Sequence, residues 1–403
     1  MTGKTESVRV CIIDPTDPCG ATPGGVTAFI QQILKCRPDD IEIELIGITT
    51  DKHSRPVKQW TECAFGNREF RQYSVLAYDS LEEQPLIPAS LLFTVSMMLK
   101  KPQLAANVLD FHRIEPIIAW RKDARPKSAV IHQNPMAMHS PQSSVRWRHL
   151  PGAFDALENR LLPQLDSVYT VREAAVLEYQ NRIPGMQGKV HYLPTMYDSE
   201  IFVCPHAAER EQLRSEIRDE LGLSRESRLL VTVGRLEAEK DPQLLLDSFR
   251  QLEGDDISLV YVGDGRLRSQ IEKNAERCGI ADRVRITGVQ NPTQVSRILA
   301  AADTFALTSI YEGRPIAVLE ALATGLPVAT TAVGEVGDIV TNGVNGEVCA
   351  ERSAHALGQS INNCLELSAK TIGTPRITAT VAQYGPTQVL APLYQNYRNL
   401  AAA

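Results

Sequence analysis

Short apolar runs alternate along this sequence with longer segments in which apolar residues recur at helical spacing. The runs that have the length and composition of strands fall into two series. The first covers residues 8–13, 43–48, 108–111, 129–132 and 167–171, and the second covers 229–233, 258–262, 284–287, 304–307 and 328–331. Strands that alternate with helical segments indicate βαβ units and a parallel sheet. Two such series predict two doubly wound α/β domains.

The length of the chain agrees with two domains, because 403 residues exceed the roughly 250–300 that one hydrophobic core serves. We assign residues 1–194 to the first Rossmann-like domain and 195–385 to the second, with a linker at 194–205. A helix-like segment, 386–403, closes the chain. Ligands of open parallel sheets bind at the carboxyl ends of the strands. We therefore expect the functional site in a central cleft that both domains face.

Composition and charge indicate an ordinary globular protein and argue against a general nucleic-acid binder. Hydrophobic residues make up 43% of the chain and charged residues 22%, as in ordinary globular domains. The net charge of −6 argues against a nucleic-acid binder. Residues 100–150 nevertheless hold nine basic and three acidic side chains, a local +6. This zone suits an anionic partner on one face, or it is an ordinary solvated surface.

Targeting and metal-binding signals are missing from the sequence. The polar N-terminus has no apolar signal region, and the longest apolar stretch, 86–99, is shorter than the roughly 20 residues of a membrane span. We therefore expect a cytoplasmic protein. The eight cysteines form no C-x-x-C pair, so neither a zinc site nor a disulfide framework is indicated.

A glycine pair, Gly24 and Gly25, follows the first strand and precedes a helical segment. Free backbone amides at such a position can approach a phosphate or carboxylate group. The spacing is not the dinucleotide pattern G-x-G-x-x-G, and a plain glycine-rich turn is the alternative.

A cationic pair follows the first strand of the second series. Arg235 and Lys240 leave its carboxyl end after Gly234, and Asp241 and Pro242 then fit the N-cap and N1 positions of a helix. An arginine fork and a lysine point charge suit a diphosphate. Two ordinary surface charges are the alternative.

Two acidic residues flank the start of a later helix. Glu312 lies in the loop after strand 304–307, Pro315 is placed at N1, and Gly325 fits the stop after the last helical turn. Glu320 lies within an otherwise apolar helix. A buried carboxylate needs a partner. Ligand hydroxyl groups are one candidate partner, and a structural cation such as Arg235 is the other.

These motifs resemble those of a known family. The spacing from Glu312 to Glu320 is similar to the E-x₇-E motif of the retaining, GT-B fold glycosyltransferases of family 4. Gly234-Arg235-Leu236 with Lys240 resembles the family's G-R-L…K motif, and 262–265 resembles its V-G-D-G turn. Residues 333–340 with 345–346 resemble a further motif, and all occur in the family's order between 229 and 350.

The resemblance implies a role for each matching residue. Arg235 and Lys240 would bind the donor diphosphate, Glu320 the ribose and Glu312 the sugar. One histidine of the first domain would lie near the sugar, with His112 favoured over His132. The remaining donor-binding positions implied are Gly24, Gly25, Gly234, Gly263, Val289, Gly313, Arg314, Pro315 and Ile316. The last helix would cross back onto the first domain.

The implied activity is transfer of a sugar, with retention, from a UDP- or GDP-sugar to an acceptor hydroxyl in bacterial polysaccharide or glycolipid assembly. No D-x-D pair occurs, so we expect no metal and no other cofactor, with the cationic pair in the metal's place. The acceptor would be a glycan, a glycolipid or a polyprenyl-diphosphate-linked sugar. Two alternatives share the fold: a nucleotide-sugar 2-epimerase, and a sugar-nucleotide-binding protein without activity.

An apolar helix is predicted at 88–99, directly before Lys100 and Lys101. Cations beside an apolar face suit peripheral contact with the inner face of a membrane. A helix packed into the core is the alternative.

Overall fold

The computed structural model describes residues 7–20, 24–78, 89–132, 151–371 and 375–403. The strands are β1 Val8–Ile13, β2 Ile41–Thr49, β3 Trp60–Phe65, β4 Arg68–Ala77, β5 Val108–Phe111, β6 Lys127–Ile131, β7 Ser167–Thr170, β8 Val190–Tyr192, β9 Arg228–Val233, β10 Ile257–Val262, β11 Val284–Ile286, β12 Thr304–Leu307, β13 Val328–Thr331 and β14 Gly346–Cys349.

The helices are α1 Gly25–Cys36, α2 Ala89–Leu99, α3 Ile117–Trp120, α4 Pro151–Leu161, α5 Glu173–Arg182, α6 Ala207–Glu220, α7 Pro242–Phe249, α8 Arg268–Arg277, α9 Pro292–Ala301, α10 Ile316–Ala323, α11 Ala354–Thr371, α12 Pro375–Thr378 and α13 Pro386–Ala402. The chain divides into two compact units. One comprises Met1–Thr195 together with Pro386–Ala403, and the other comprises Met196–Gly385.

The sheet of the first unit has the strand order β3-β4-β2-β1-β5-β6-β7-β8. Its pairs are parallel except the β3–β4 hairpin. One face carries Leu109 and Phe111, which belong to a core that includes Phe93 and Trp120. On the other face α13 packs against α1, with the Tyr394 hydroxyl donating to the Ile33 carbonyl at 3.0 Å. Burial on both faces explains why these strands read as unbroken apolar runs.

The sheet of the second unit has the order β11-β10-β9-β12-β13-β14 and is parallel throughout. Leu229 and Val231 face a core shared with α9 and α10. Leu230 faces the opposite core, shared with α7, α8 and α11. The strand order reverses beside β9, which pairs with both β10 and β12. A reversal of this kind opens a crevice at the carboxyl ends of the strands, where ligands bind.

The prediction of parallel α/β architecture is confirmed, and all ten predicted runs contain a strand. The sequence reading missed β3, β4, β8 and β14. Strand β3 alternates between partly buried and exposed positions at the sheet edge, so it lacks the apolar run of a central strand. Strands β8 and β14 have three and four residues, too short to show a period.

Parts of two predictions lie outside the described residues. These are the section of the basic zone from 133 to 150, with Arg146 and Arg148, and Pro88 at the start of the predicted apolar helix. Within the described ranges, no helix combines the length and apolar character needed to cross a bilayer.

Candidate active site

Two glycine loops meet at the carboxyl edge of the second sheet. Gly234 follows β9 and Gly263 follows β10, and the Gly234 amide donates to the Val262 carbonyl at 3.0 Å. Gly263 has a φ of 148°, and a β-carbon there would lie 2.0 Å from the Gly234 carbonyl oxygen. Only glycine allows this approach. The contact sets the path of the backbone toward Arg235.

Lys240 and Glu312, 72 residues apart, are brought into direct contact. The Lys240 Nζ lies 2.6 Å from Glu312 Oε1, and the same oxygen accepts a hydrogen bond from Ser309 Oγ at 2.7 Å. Both charged side chains are only partly buried, with 30% and 15% of their surface exposed. The two predicted residues therefore form one polar cluster that solvent or a ligand can reach.

The backbone beside Lys240 is held by Asp241, whose predicted N-cap position is confirmed, and by Arg352, which sequence reasoning missed. Asp241 has a left-handed conformation, with a φ of 45°, and its carboxylate caps α7 by accepting from the Leu244 amide. The Arg352 guanidinium donates to the same carboxylate at 2.6 Å and to the carbonyl oxygens of Thr308 and Ser309. Arg352 thereby ties the loop after β9 to the loop after β12. It belongs to no motif in the sequence, so only the folded contacts reveal it.

Arg235 is the more exposed member of the cationic pair. Its side chain is 63% exposed and bonds to Glu239 four residues later. An exposed pair of this kind contributes little to stability, so the guanidinium can exchange its partner for an anionic ligand at small cost.

Glu320 lies on α10 with no counter-ion. Among the described residues, no cation pairs with its carboxyl group and no side chain hydrogen-bonds to it, so the structural-cation alternative finds no support. Burial, and secondarily the Asp198 carboxylate, raise the pKa of Glu320 to about 7. The group is thus poised between its neutral and ionised forms near neutral pH.

Pro315 is the N-cap of α10 and not its first residue, which corrects the N1 prediction. Its ψ of 112° is extended, so the helix begins at Ile316. Within the described residues, the amides of Ile316 and Ala317 have no hydrogen-bond partner, whereas the Val318 amide donates to the Pro315 carbonyl. Free amides at a helix start attract anionic oxygens.

Arg314 has a structural side chain. It is 2% exposed, bonds to Glu335 at 3.0 Å and lies 4.8 Å from the centre of the Tyr384 ring. The Glu335 amide also donates to the Gly313 carbonyl at 2.9 Å. These contacts hold the loop after β13 against Gly313, so any donor contact at 314 would come from the backbone.

Val289 lies at the β11 end of the same edge. Gly288 pairs with Gly263 through an isolated bridge, and the Val289 side chain is 66% exposed. The structure thus places Val289 near the glycine loops and leaves its surface open.

In the first unit, Gly24 caps α1 and Gly25 is its first residue. The φ of Gly24 is −81°, and a β-carbon at either position would meet no described atom. Nothing within the described part of this fold requires glycine at these two positions.

His112 and His132 follow β5 and β6 and touch each other. Nδ1 of His112 lies 2.9 Å from Nε2 of His132, and Nε2 of His112 lies 3.2 Å from the Asp110 carboxylate. Burial, followed by the nearby His112 and Arg113, holds the pKa of His132 well below its usual value. The two alternatives of the sequence reading are therefore members of one cluster.

Comparison with known proteins agrees with this geometry. Residues 214–376 match the family model described as Glycosyl transferases group 1. The matched range lies within the second unit, Met196–Gly385. The resemblance in the sequence motifs is thereby confirmed, since Arg235, Lys240, Glu312 and Glu320 all lie inside the matched range.

The similar curated proteins match part of this chain over part of their own length. The putative teichuronic acid biosynthesis glycosyltransferase TuaC of Bacillus subtilis is 37% identical over 152 residues, which cover 38% of this chain and 36% of TuaC. The UDP-Gal:alpha-D-GlcNAc-diphosphoundecaprenol alpha-1,3-galactosyltransferase of Escherichia coli is 31% identical over 163 residues, or 39% and 40% of the two chains. The aligned segment thus spans about two fifths of each relative.

Solved structures match nearly the whole chain. Sucrose-phosphate synthase from Thermosynechococcus elongatus superposes with a TM-score of 0.78 at 18% identity, covering 98% of this chain and 99% of that one. Anabaena HepE in complex with UDP-glucose superposes with a TM-score of 0.68 at 18% identity, covering 98% and 99%. Together with the two parallel sheets, these matches confirm the GT-B fold.

The raised pKa of Glu320 predicts an effect of pH on stability. An unfolded glutamate titrates near pH 4.3, so ionisation of Glu320 destabilises the fold progressively from about pH 4 to 7 and fully above pH 7. Glu320→Gln removes this penalty. The free energy of unfolding at pH 8, measured by urea titration, should rise by about 3.5 kcal/mol, with no change at pH 4. The exposed Glu366→Gln on α11 is the control and should change little at either pH; equal curves for both variants would contradict the assignment.

Proposed function

We propose that this protein is a retaining glycosyltransferase that moves a sugar from a UDP- or GDP-sugar to an acceptor hydroxyl. The observation that carries the proposal is the Lys240–Glu312 contact at the carboxyl edge of the second sheet. It joins a cation suited to a diphosphate and a carboxylate suited to sugar hydroxyls. In support, the same edge holds Arg235, and the range that matches the group 1 family model contains all three residues.

The departing diphosphate sets the main electrostatic demand. As the bond to the sugar breaks, negative charge grows on the leaving phosphate while the sugar acquires oxocarbenium character. In our proposal Arg235 releases Glu239 and forks onto the diphosphate, and Lys240 shares its charge between Glu312 and a phosphate oxygen. The Ile316 and Ala317 amides at the start of α10 supply further donors.

The two acidic residues bind the hydroxyl groups of the donor in our proposal, Glu312 those of the sugar and Glu320 those of the ribose. Glu312, held by Lys240 and Ser309, accepts hydrogen bonds from the sugar hydroxyls. Glu320 accepts from the ribose hydroxyls, which supply the hydrogen-bond partner that it lacks among the described residues. Binding of these donors would favour its ionised form, since only a carboxylate accepts on both oxygens. The exposed Val289 is the proposed contact of the base.

Retention and metal independence are the finer parts of the proposal. The E-x₇-E spacing, which resembles that of retaining enzymes, supports retention. The two cations support metal independence, because fixed positive charges can neutralise the leaving group in the way a metal ion does.

Polysaccharide or glycolipid assembly is the proposed pathway, with a glycan, glycolipid or polyprenyl-diphosphate-linked acceptor. The names of the teichuronic acid and diphosphoundecaprenol relatives support this class. Helix α2 supports contact of the first unit with a membrane. Its inner face, with Phe93 and Met97, is buried in the core, while Met98 and Leu99 are 58% and 83% exposed.

Cations surround the exposed end of α2. Lys100 and Lys101 follow it directly and are exposed, and the Lys101 Nζ lies 4.6 Å from the centre of the Trp120 ring on α3. Arg121 and Lys122, next along the chain, are exposed as well. An apolar tip ringed by cations suits the headgroup region of an anionic bilayer.

Lys240→Ala tests the donor site. Turnover should fall at least about 100-fold, because a preorganised charge opposite the leaving group is lost.

A thermal-shift screen of UDP- and GDP-sugars first identifies the donor, since saturation at 100 times Kd adds about 2.7 kcal/mol of stability. Release of the nucleoside diphosphate then reports turnover. Lys273→Ala, an exposed lysine on α8, is the control and should behave as wild type. Wild-type turnover by Lys240→Ala would refute the site, and conversion of the donor sugar without acceptor would refute transfer.

Chelation tests metal independence. The rate of transfer should be the same with and without EDTA, since Arg235 and Lys240 supply the positive charge. A saturable requirement for added Mg²⁺ or Mn²⁺ would count against this role of the two cations.

Leu99→Ser tests membrane contact. Co-sedimentation with phosphatidylglycerol vesicles at low salt should weaken about tenfold, because one leucine no longer enters the bilayer. Leu177→Ser, at a position on α5 that is 65% exposed, is the matched control and should bind as wild type. Absence of wild-type binding to these vesicles would remove the membrane proposal.

A further inference from the structure

Four side chains of the first unit form a continuous series of hydrogen bonds, here called the relay: Tyr397, Asp110, His112 and His132. The Tyr397 hydroxyl donates to Asp110 Oδ2 at 2.6 Å, and Nε2 of His112 lies 3.2 Å from the same oxygen. Nδ1 of His112 meets Nε2 of His132 at 2.9 Å. The planes of the two imidazole rings are 18° apart, and the ring centres are 5.1 Å apart.

The relay lies in a dry part of the fold. The side chains of Asp110 and His112 have no exposed surface, and Tyr397 is fully buried. Phe29 of α1 packs edge-on against His132, with ring centres 4.9 Å apart. Hydrogen bonds in such surroundings gain strength, and breaking one leaves an unpaired buried group.

The order of donors and acceptors assigns the protons. An ionised Asp110 accepts only, so the proton between it and His112 belongs to Nε2 of His112. Nδ1 of a neutral His112 then carries a lone pair and accepts from Nε2–H of His132. Neutral His132 is left with its lone pair on Nδ1. The low pKa of His132 agrees with a neutral ring.

Nδ1 of His132 is the end of the relay. Among the described residues no group hydrogen-bonds to this nitrogen, and His132 is the least buried member of the four. Because β1 pairs with both β2 and β5, the strand order reverses beside it, and His132 follows β6, two strands further along this carboxyl edge. Ligands of such sheets bind at this edge.

We propose that Tyr397, Asp110 and His112 are positioning residues that fix His132 as its Nε2–H tautomer, so that Nδ1 accepts a hydrogen bond from a substrate hydroxyl. This inference rests on the proposed function for the identity of the hydroxyl, a sugar hydroxyl. The resemblance already implies a histidine of the first domain near the sugar; what the geometry adds is that Tyr397, Asp110 and His112 position it. The geometry also assigns the C-terminal helix α13 a role in the site, through Tyr397.

The protein alone, without substrate, tests the tautomer. Two-bond ¹⁵N–¹H correlation spectra of the histidine-labelled full chain report which ring nitrogen carries the proton, and His112→Gln and His132→Gln assign the signals. We expect a protonated Nε2 and a bare Nδ1 for His132. A protonated Nδ1 on His132 would overturn the proposal, because a protonated His112 would then be the donor between the rings.

Tyr397→Phe tests the far end of the relay against a matched control. Tyr394→Phe removes a buried hydroxyl from the same helix, one that donates to the Ile33 carbonyl and lies outside the relay. The ¹⁵N shifts of His112 and His132 should move in Tyr397→Phe and stay in place in Tyr394→Phe. Equal spectra for the two variants would overturn the proposal. If Tyr397→Phe does not fold, His112→Gln provides the same comparison for the His132 signal.

Kinetics then separate positioning from stability. With the donor identified by the UDP- and GDP-sugar screen, Tyr397→Phe should lower kcat about tenfold with little change in KM, while Tyr394→Phe keeps wild-type kcat. A loss confined to thermal stability in both variants would mean that the relay is structural only. If no nucleotide sugar binds the wild-type protein, the proposed function fails, while the spectra still decide the tautomer.

Discussion

The contact between Lys240 and Glu312 depends on the pairing of β9 with β12. Those strands lie side by side in the second sheet, so the loops that leave their carboxyl ends emerge together. The contact then needs Asp241 in its left-handed turn and Arg352 bridging both loops. A non-glycine residue in that conformation carries strain. The cap on α7 and the Arg352 bond offset it, and the lysine is thereby aimed at the glutamate.

Burial of charge distinguishes the structural from the functional groups in this unit. Arg314 is buried, but Glu335 pairs with its charge and the Tyr384 ring packs against it, so it stabilises two loops against each other. Glu320 is partly buried, yet no described cation compensates it and its pKa rises. A carboxylate kept at such a cost indicates a ligand that supplies the missing donors. The contrast between these two residues gives the ribose assignment its physical basis.

The first unit also buries an acidic side chain, but this one has hydrogen-bond partners within the protein. Asp110 is an acid inside a central strand, where the Tyr397 hydroxyl donates to it and Nε2 of His112 lies 3.2 Å from the same oxygen. The two solved structures named above are 18% identical to this chain, so their likeness shows the fold alone. Function in this unit must therefore be argued from its own side chains.

The sequence by itself determined the two parallel sheets, their central strands and the motif residues of the second unit. Those features can be read from short stretches of the chain. An apolar run is recognised as a strand from its own residues, and the motifs Gly234-Arg235 and Glu312 to Glu320 are recognised from their residue types and spacing. The edge strands β3 and β14 were not predicted, because a half-exposed or very short strand has no continuous apolar run. Tertiary structure alone decided that Lys240 meets Glu312, that Arg352 joins their loops and that Tyr397 reaches Asp110 across 287 positions. These are contacts between distant parts of the chain. Their formation depends on the order of strands in the sheet and on which helix covers which face, and neither is recorded in any one stretch of residues.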